Sequence, residues 1–117
     1  VYFMLALTFQ NQDHQKLALP YFQRAAELSS DDSAILFQYG LSLAQTNQID
    51  DAQQKFKQVI NLDNKHSDAY YNLGVTYLYQ ENVEQALKCF DKALNIQPEH
   101  LLAGNGKKMV EEMLNQK

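Results

Sequence analysis

The feature that most limits what this chain can fold into is a pattern that returns every 34 residues. It is clearest between Tyr70 and Pro98. Tyr70, Leu73, Gly74 and Tyr77 fall at i, i+3, i+4 and i+7, one face of a helix. After a polar gap, Ala86, Phe90 and Ala93 fall at i, i+4 and i+7 of a second helix, and the run closes on Pro98. Gly74 and Ala86 are small, so the two backbones can cross closely there. Tyr70, Tyr77 and Phe90 can then fill the space on either side. Moved back one period, the same ruler meets Leu36, Tyr39, Gly40, Leu43, Ala52, Phe56 and Val59, with Asn64 in place of Pro98. Moved back again, it meets Tyr2, Leu5, Ala6, Phe9, Ala18, Phe22 and Ala25, with Ser30 at the proline slot. Three repeats thus follow one another with no insertion or deletion.

A large aromatic, then Leu-Gly, Tyr, Ala, Phe, Ala and Pro: this order resembles the tetratricopeptide (TPR) repeat, with Tyr70 standing where the family most often has Trp. The resemblance covers residues 1 to about 100. It implies an all-α fold, a TPR α-solenoid of antiparallel helix pairs in a right-handed superhelix, with seven helices in all. Repeat one would span 1–32, repeat two 33–66 and repeat three 67–100, with a capping helix over 101–117, all within a single domain. Such a scaffold serves many roles, so function must be argued from its surface.

The chain of 117 residues is long enough for one domain. A net charge of −4, with no run of five like charges, disfavours nucleic acid, whose phosphates need a concentrated basic surface. The lone Cys89 cannot form an internal disulfide and reads as a partly exposed, unreactive thiol. A reducing compartment fits, and a cytoplasmic location is expected. Val1 to Leu7 are all apolar, but the run is far shorter than the roughly 20 residues a membrane span needs. No membrane partner is expected, and the run reads as a helix buried on both faces. Val1 enters at the third position of its repeat and is not Met, so a piece of a longer protein is expected.

Local signals agree with the repeat. Asp31, Asp32 and Ser33 offer a helix cap, and Ser67 another. Asn47 and Glu81 stand in the turns where the family usually has glycine; Asn tolerates a left-handed conformation, and Glu81 puts the tightness of its turn in question. Pro20 falls on the side of its helix away from the partner helix. The adjacent pairs Asp31–Asp32 and Asp50–Asp51 supply no acid–base pair, since neighbours on a helix point in different directions. His66 and His100 occupy one slot in successive repeats, about 10 Å apart in stacked helices, too far for a shared metal. No metal, cofactor or catalytic residue is expected within the chain, and no enzyme: it has no nucleophile–base pair, no glycine-rich phosphate loop and no ligand cluster. Past Pro98 the ruler meets Gly104, Lys107, Lys108 and Glu111. Leu102, Met109 and Met113 there share one stripe, extended by Val110 and Leu114, with Lys107, Lys108, Glu111 and Glu112 facing water. Gly104 and Gly106 weaken the start of this last helix by about 1 kcal/mol each.

In the family the first helix of each repeat lines the concave side, where partners usually lie. The resemblance therefore implies a groove formed by Phe3, Leu7, Phe37, Gln38, Leu41, Ala44, Gln45, Tyr71, Asn72, Val75, Leu78 and Tyr79. Phe3, Phe37 and Tyr71 form an aromatic series, one ring per repeat, beyond what core packing needs. Tyr71, Val75, Leu78 and Tyr79 make a second apolar face on their helix. TPR domains that hold chaperone tails use a Lys, Asn and Arg clamp for two carboxylates. The corresponding slots here hold Phe3, Leu7, Gln38, Asp68 and Asn72, and no such clamp is expected. The leading expectation is a protein–protein interaction scaffold taking a helix or extended peptide of unknown identity, with Phe37 and Tyr71 as anchors. Two alternatives stay open: a self-associating module, a homo-oligomer, or the substrate-recruiting arm of an enzyme whose catalytic domain lies elsewhere.

Overall fold

A computed structural model describes residues 2–11 and 15–115, which form seven helices and no strand. They are α1 (Tyr2–Asn11), α2 (Gln15–Leu28), α3 (Ser33–Gln45), α4 (Ile49–Leu62), α5 (Ser67–Tyr79), α6 (Val83–Ile96) and α7 (Leu101–Asn115). Gln12, Asp13 and His14 of the turn expected after α1, and the side chain of Phe9, lie outside the described residues. The chain divides into two compact units, Val1–Leu62 and Asp63–Lys117. In the first, α1 packs on α2, α2 on α3, and α3 on α4. In the second, α6 is flanked by α5 and α7, and α7 also touches α5. Among the described residues no helix is long and apolar enough to cross a membrane.

The small residues of the repeat are where the helices cross. Ala18, Phe22, Ala52, Phe56, Ala86 and Phe90 are fully buried. A Cβ on Gly40 would come 2.7 Å from Phe56 Cε1, and one on Gly74 would come 2.8 Å from Phe90 Cε1. Each glycine is thus the floor on which the phenylalanine of the paired helix lies. Cys89 packs at the same crossing: it is buried, its Cβ 3.1 Å from where a Gly74 Cβ would stand. The expectation of a partly exposed thiol is corrected, because α6 turns this flank toward α5. The reading of Val1–Leu7 as buried on both faces is also corrected. Ala6 is buried and α2 packs on α1, but among the described residues Met4 is exposed.

Caps and turns set the helix ends. Asp32 Oδ1 accepts the N–H groups of Ala34 at 3.0 Å and Ile35 at 3.4 Å. At α5 the cap is His66, not Ser67: His66 Nδ1 accepts the Ala69 N–H at 3.1 Å. Ser67 instead donates its hydroxyl to Gln97 Oε1 at 2.7 Å, tying the start of α5 to the end of α6. Asn47 and Glu81 both adopt the left-handed conformation, with φ of 67° and 60°. The Asn82 N–H still reaches the Tyr77 carbonyl at 2.9 Å, so Glu81 keeps the turn tight despite its side chain. Pro20 lies inside α2 on its exposed face, and the helix continues through it.

α7 is regular from its first turn, and its buried face is Ala103, Gly106 and Val110. Of the stripe expected from the sequence, Val110 is buried and Leu114 packs against its core, but Leu102, Met109 and Met113 are exposed, which corrects that part of the expectation. Lys107 also departs from the expected solvated face: its Nζ lies 2.8 Å from Asp91 Oδ1, a contact that raises its pKa through that hydrogen bond and the Asp91 charge. The two glycines of α7 differ in kind. A Cβ on Gly106 would come 2.9 Å from Phe90 Cζ, whereas nothing lies within 4 Å of one on Gly104. Gly104→Ala is therefore expected to raise stability by about 1 kcal/mol through helix propensity. Gly106→Ala must displace the Phe90 ring, and overpacking of about 1–3 kcal/mol outweighs that gain. Urea denaturation of the two variants should move the midpoint in opposite directions.

Candidate interaction surface

The expected groove residues sit on α1 and α3 in the first unit and on α5 in the second. Phe3 places its ring 6.1 Å from Phe22, and Phe37 places its ring 5.9 Å from Phe56. Leu7 packs on the cluster of Ala6, Ala18 and Phe22. Phe37, Gln38, Leu41 and Ala44 are half-buried and Gln45 is exposed. In the second unit, Tyr71 lies 5.7 Å from Phe90 and 5.4 Å from the ring of His100. Val75 and Leu78 lean on the core of Val83, Ala86, Phe90 and Val110. Each ring of the aromatic series therefore also packs on the buried phenylalanine of its own helix pair. That packing qualifies the idea that the rings exceed what the core needs. Asn72 is half-buried and donates its Nδ2 proton to the Asp68 carbonyl at 2.8 Å, so part of its bonding capacity is used within α5. Burial, followed by the neighbouring Tyr79, raises the pKa of Tyr71, so its phenol stays neutral and can donate.

α7 contributes a surface that sequence reasoning missed. His100 caps α7 as His66 caps α5: its Nδ1 accepts the Ala103 N–H at 3.1 Å. Ala69 and Ala103, and Thr76 and Val110, are pairs of buried residues one period apart. α7 thus repeats the register of a first helix. The Lys107–Asp91 contact sets one flank of α7 over α6. The opposite flank of the helix carries Leu102, Met109 and Met113, which are 56%, 48% and 43% exposed. They stand one period after Asp68, Val75 and Tyr79, and Tyr79 is itself 68% exposed. The sequence signal for this register was present in the pairs His66/His100 and Ala69/Ala103. It was obscured because the slots that would grip a further helix hold Gly104, Lys107, Lys108 and Glu111.

His100 also joins the two helices. Because its Nδ1 accepts a backbone N–H, the ring proton resides on Nε2, which donates to Asp68 Oδ1 at 2.7 Å. His100 is buried while the Asp68 side chain is largely exposed, so an interior imidazole orients a surface carboxylate. In the first unit, a separate cleft of about 540 Å³ opens among α2, α3 and α4, beside Leu36, Tyr39 and Lys55. It includes none of the expected groove residues. Among the described residues no three His, Cys, Asp or Glu side chains lie close enough to hold a metal ion.

Comparison with known proteins follows the repeat. Family models described as tetratricopeptide repeat match residues 1–32 and 67–100, and one described as TPR repeat matches 40–80. The chain belongs to the tetratricopeptide repeat family. The crystal structure of YrrB, described as a TPR protein with an unusual peptide-binding site, superposes with a TM-score of 0.90 and is 47% identical, covering 92% of this chain and 55% of that one. The first TPR of Spaghetti (RPAP3), solved with the HSP90 peptide SRMEEVD, superposes with a TM-score of 0.93 over 97% of this chain and 90% of that one. At 13% identity it shows the TPR fold alone. The probable UDP-N-acetylglucosamine–peptide N-acetylglucosaminyltransferase SPINDLY of Hordeum vulgare is 32% identical over 74 residues, 63% of this chain. The BBSome complex member BBS4 of Bos taurus is 28% identical over 85 residues, 73% of this chain. The TPR chain spans only 8% and 16% of the length of these two curated relatives.

Proposed function

We propose that this TPR chain is a protein–protein interaction module that takes an apolar helix or extended peptide on the exposed faces of its first helices. One observation carries the reading. In the second unit, Tyr79 on α5 and Leu102, Met109 and Met113 on α7, a helix that touches α5, stay exposed at positions one period apart. Contiguous apolar surface of this kind marks interaction sites. Methionine and tyrosine suit the task, the first by adapting its shape and the second by pairing a large ring with a polar tip. The likeness to YrrB, a TPR protein with a peptide-binding site, supports the same reading. On the first unit, the residues expected to meet a partner are Phe3, Leu7, Phe37, Gln38, Leu41, Ala44 and Gln45. On the second unit, taken by itself, they are Tyr71, Asn72, Val75, Leu78 and Tyr79, now joined by Leu102, Met109 and Met113. The carboxylate of Asp68 argues against a two-carboxylate clamp. The chain itself is read as non-catalytic. A second reading, a recruiting arm within a larger enzyme, is favoured only by the match to part of SPINDLY.

The test is capture of partners from lysate with the wild type and with a Tyr79→Glu, Met109→Glu, Met113→Glu variant, alongside light scattering over a range of concentrations. A monomer whose captured proteins are lost in the variant is the expected result. Capture unaffected by the three charges would overturn the assignment. A concentration-dependent oligomer abolished by them would mean that a second copy covers the surface.

A further inference from the structure

The charges around the second unit's surface suggest what kind of segment it takes. We infer that the bound segment is an amphipathic helix carrying a basic side chain beside its apolar stripe, and that Asp68 receives that lysine or arginine. The inference rests on the interaction-surface reading above. The positions concerned on α5 are Asp68, Tyr71, Val75, Leu78 and Tyr79, and those one period later on α7 are Leu102, Asn105, Met109, Glu112 and Met113. The two charged residues in this set are both acidic. Of the lysines on α6 and α7, Lys92 lies over the Tyr70 ring and Lys107 against Asp91, while Lys108 stands four residues before Glu112 on α7, within reach of that carboxylate. An apolar strip whose own ten positions carry carboxylates and no lysine or arginine complements a segment with apolar residues on one face and a cation at its edge.

Asp68 is the better receptor of the two because it is positioned. The Nε2–H of buried His100 donates to one carboxylate oxygen at 2.7 Å, and the same imidazole is fixed by capping α7. The carboxylate is thus held in place before any ligand arrives, which lowers the ordering cost of binding. The ring of Tyr71 lies tilted against His100 at 5.4 Å, so an aromatic ring packs on the imidazole that holds the carboxylate, and such a ring can also attract a cation. Asn72 draws on the Asp68 carbonyl rather than its side chain, leaving the second carboxylate oxygen without competition from that neighbour.

The test uses two fluorescein-labelled model helices, one of leucine and lysine and one with each lysine replaced by glutamate. Their affinities for the 117-residue chain are read by fluorescence anisotropy at physiological salt. The lysine helix is expected to bind at least about tenfold more tightly. Asp68→Asn keeps an oxygen for His100 but removes the charge. It should weaken the lysine helix about fivefold or more and leave the glutamate helix unchanged. Glu84→Gln, an exposed carboxylate on α6, should change neither. Equal binding of the two helices, or equal effects of Asp68→Asn and Glu84→Gln, would overturn the selection of a basic side chain while the apolar surface stood. If neither helix bound, or if Met109→Glu, Met113→Glu made no difference to either, the surface reading itself would fall and the inference with it.

Discussion

Replacing Phe90 with alanine is expected to destabilise the chain by about 3–5 kcal/mol, a large share of the roughly 5–15 kcal/mol that holds a domain folded. Phe90 is fully buried, and three helices meet on its ring. On α5, a Cβ at Gly74 would come 2.8 Å from the ring, and Tyr71 packs against it in a tilted arrangement at 5.7 Å. On α7, a Cβ at Gly106 would come 2.9 Å from it. No single neighbour can collapse into the space without breaking contacts with the others, so most of the cavity should persist. The diagnostic result is a change of sign at the neighbouring glycine. In the wild type a methyl at Gly106 collides with the ring, whereas in Phe90→Ala the same methyl fills part of the hole. Gly106→Ala is thus expected to be destabilising alone and stabilising in the Phe90→Ala background, with a coupling of about 1 kcal/mol or more. Urea denaturation of the four proteins closes the cycle. Additive effects would show that Phe90 does not set the α6–α7 spacing.

The second large effect concerns binding. Truncating Tyr79 or Met113 to alanine is expected to weaken the captured partner segment by about 1–3 kcal/mol each, roughly ten- to a hundredfold. Both side chains are exposed, so the stability of the unliganded chain should stay within about 0.5 kcal/mol of the wild type. Tyr71→Ala makes a useful contrast. Its ring packs on Phe90 and His100, so this variant should lose both affinity and stability. Calorimetric titration paired with thermal unfolding separates the two. If Tyr79→Ala and Met113→Ala bound as tightly as the wild type, the exposed flanks of α5 and α7 would not be the binding surface.

Much of this was legible in the residues. The helix pairs follow from the 34-residue recurrence, because each small residue answers a buried ring one helix away. The first-helix positions of the proposed surface rest on the same recurrence, since equivalent slots face equivalent ways, and whether they bind is for the titrations above to decide. What escaped was local. Cys89 looked like a surface thiol because it lies off the Phe90 face, yet a helix clasped between two others has little free surface there. Ser67 looked like the α5 cap from residue preference, but His66 offers an acceptor nitrogen one position earlier, and Ser67 finds Gln97 instead.

Periodicity alone therefore determined the fold class and the partners of each repeat's core, since helix geometry leaves few ways to bury an i, i+3, i+4, i+7 stripe. It could not determine which of two apolar flanks α7 turns inward. Leu102, Met109 and Met113 are the more hydrophobic set, and the sequence favours burying them. The tertiary structure buries Ala103, Gly106 and Val110 instead. The Phe90 ring leaves room only for small side chains at closest approach, and close packing outweighs the hydrophobicity of the larger set. That choice of flank, made by the shape of a neighbouring ring, leaves the larger apolar side chains outward where a partner can meet them.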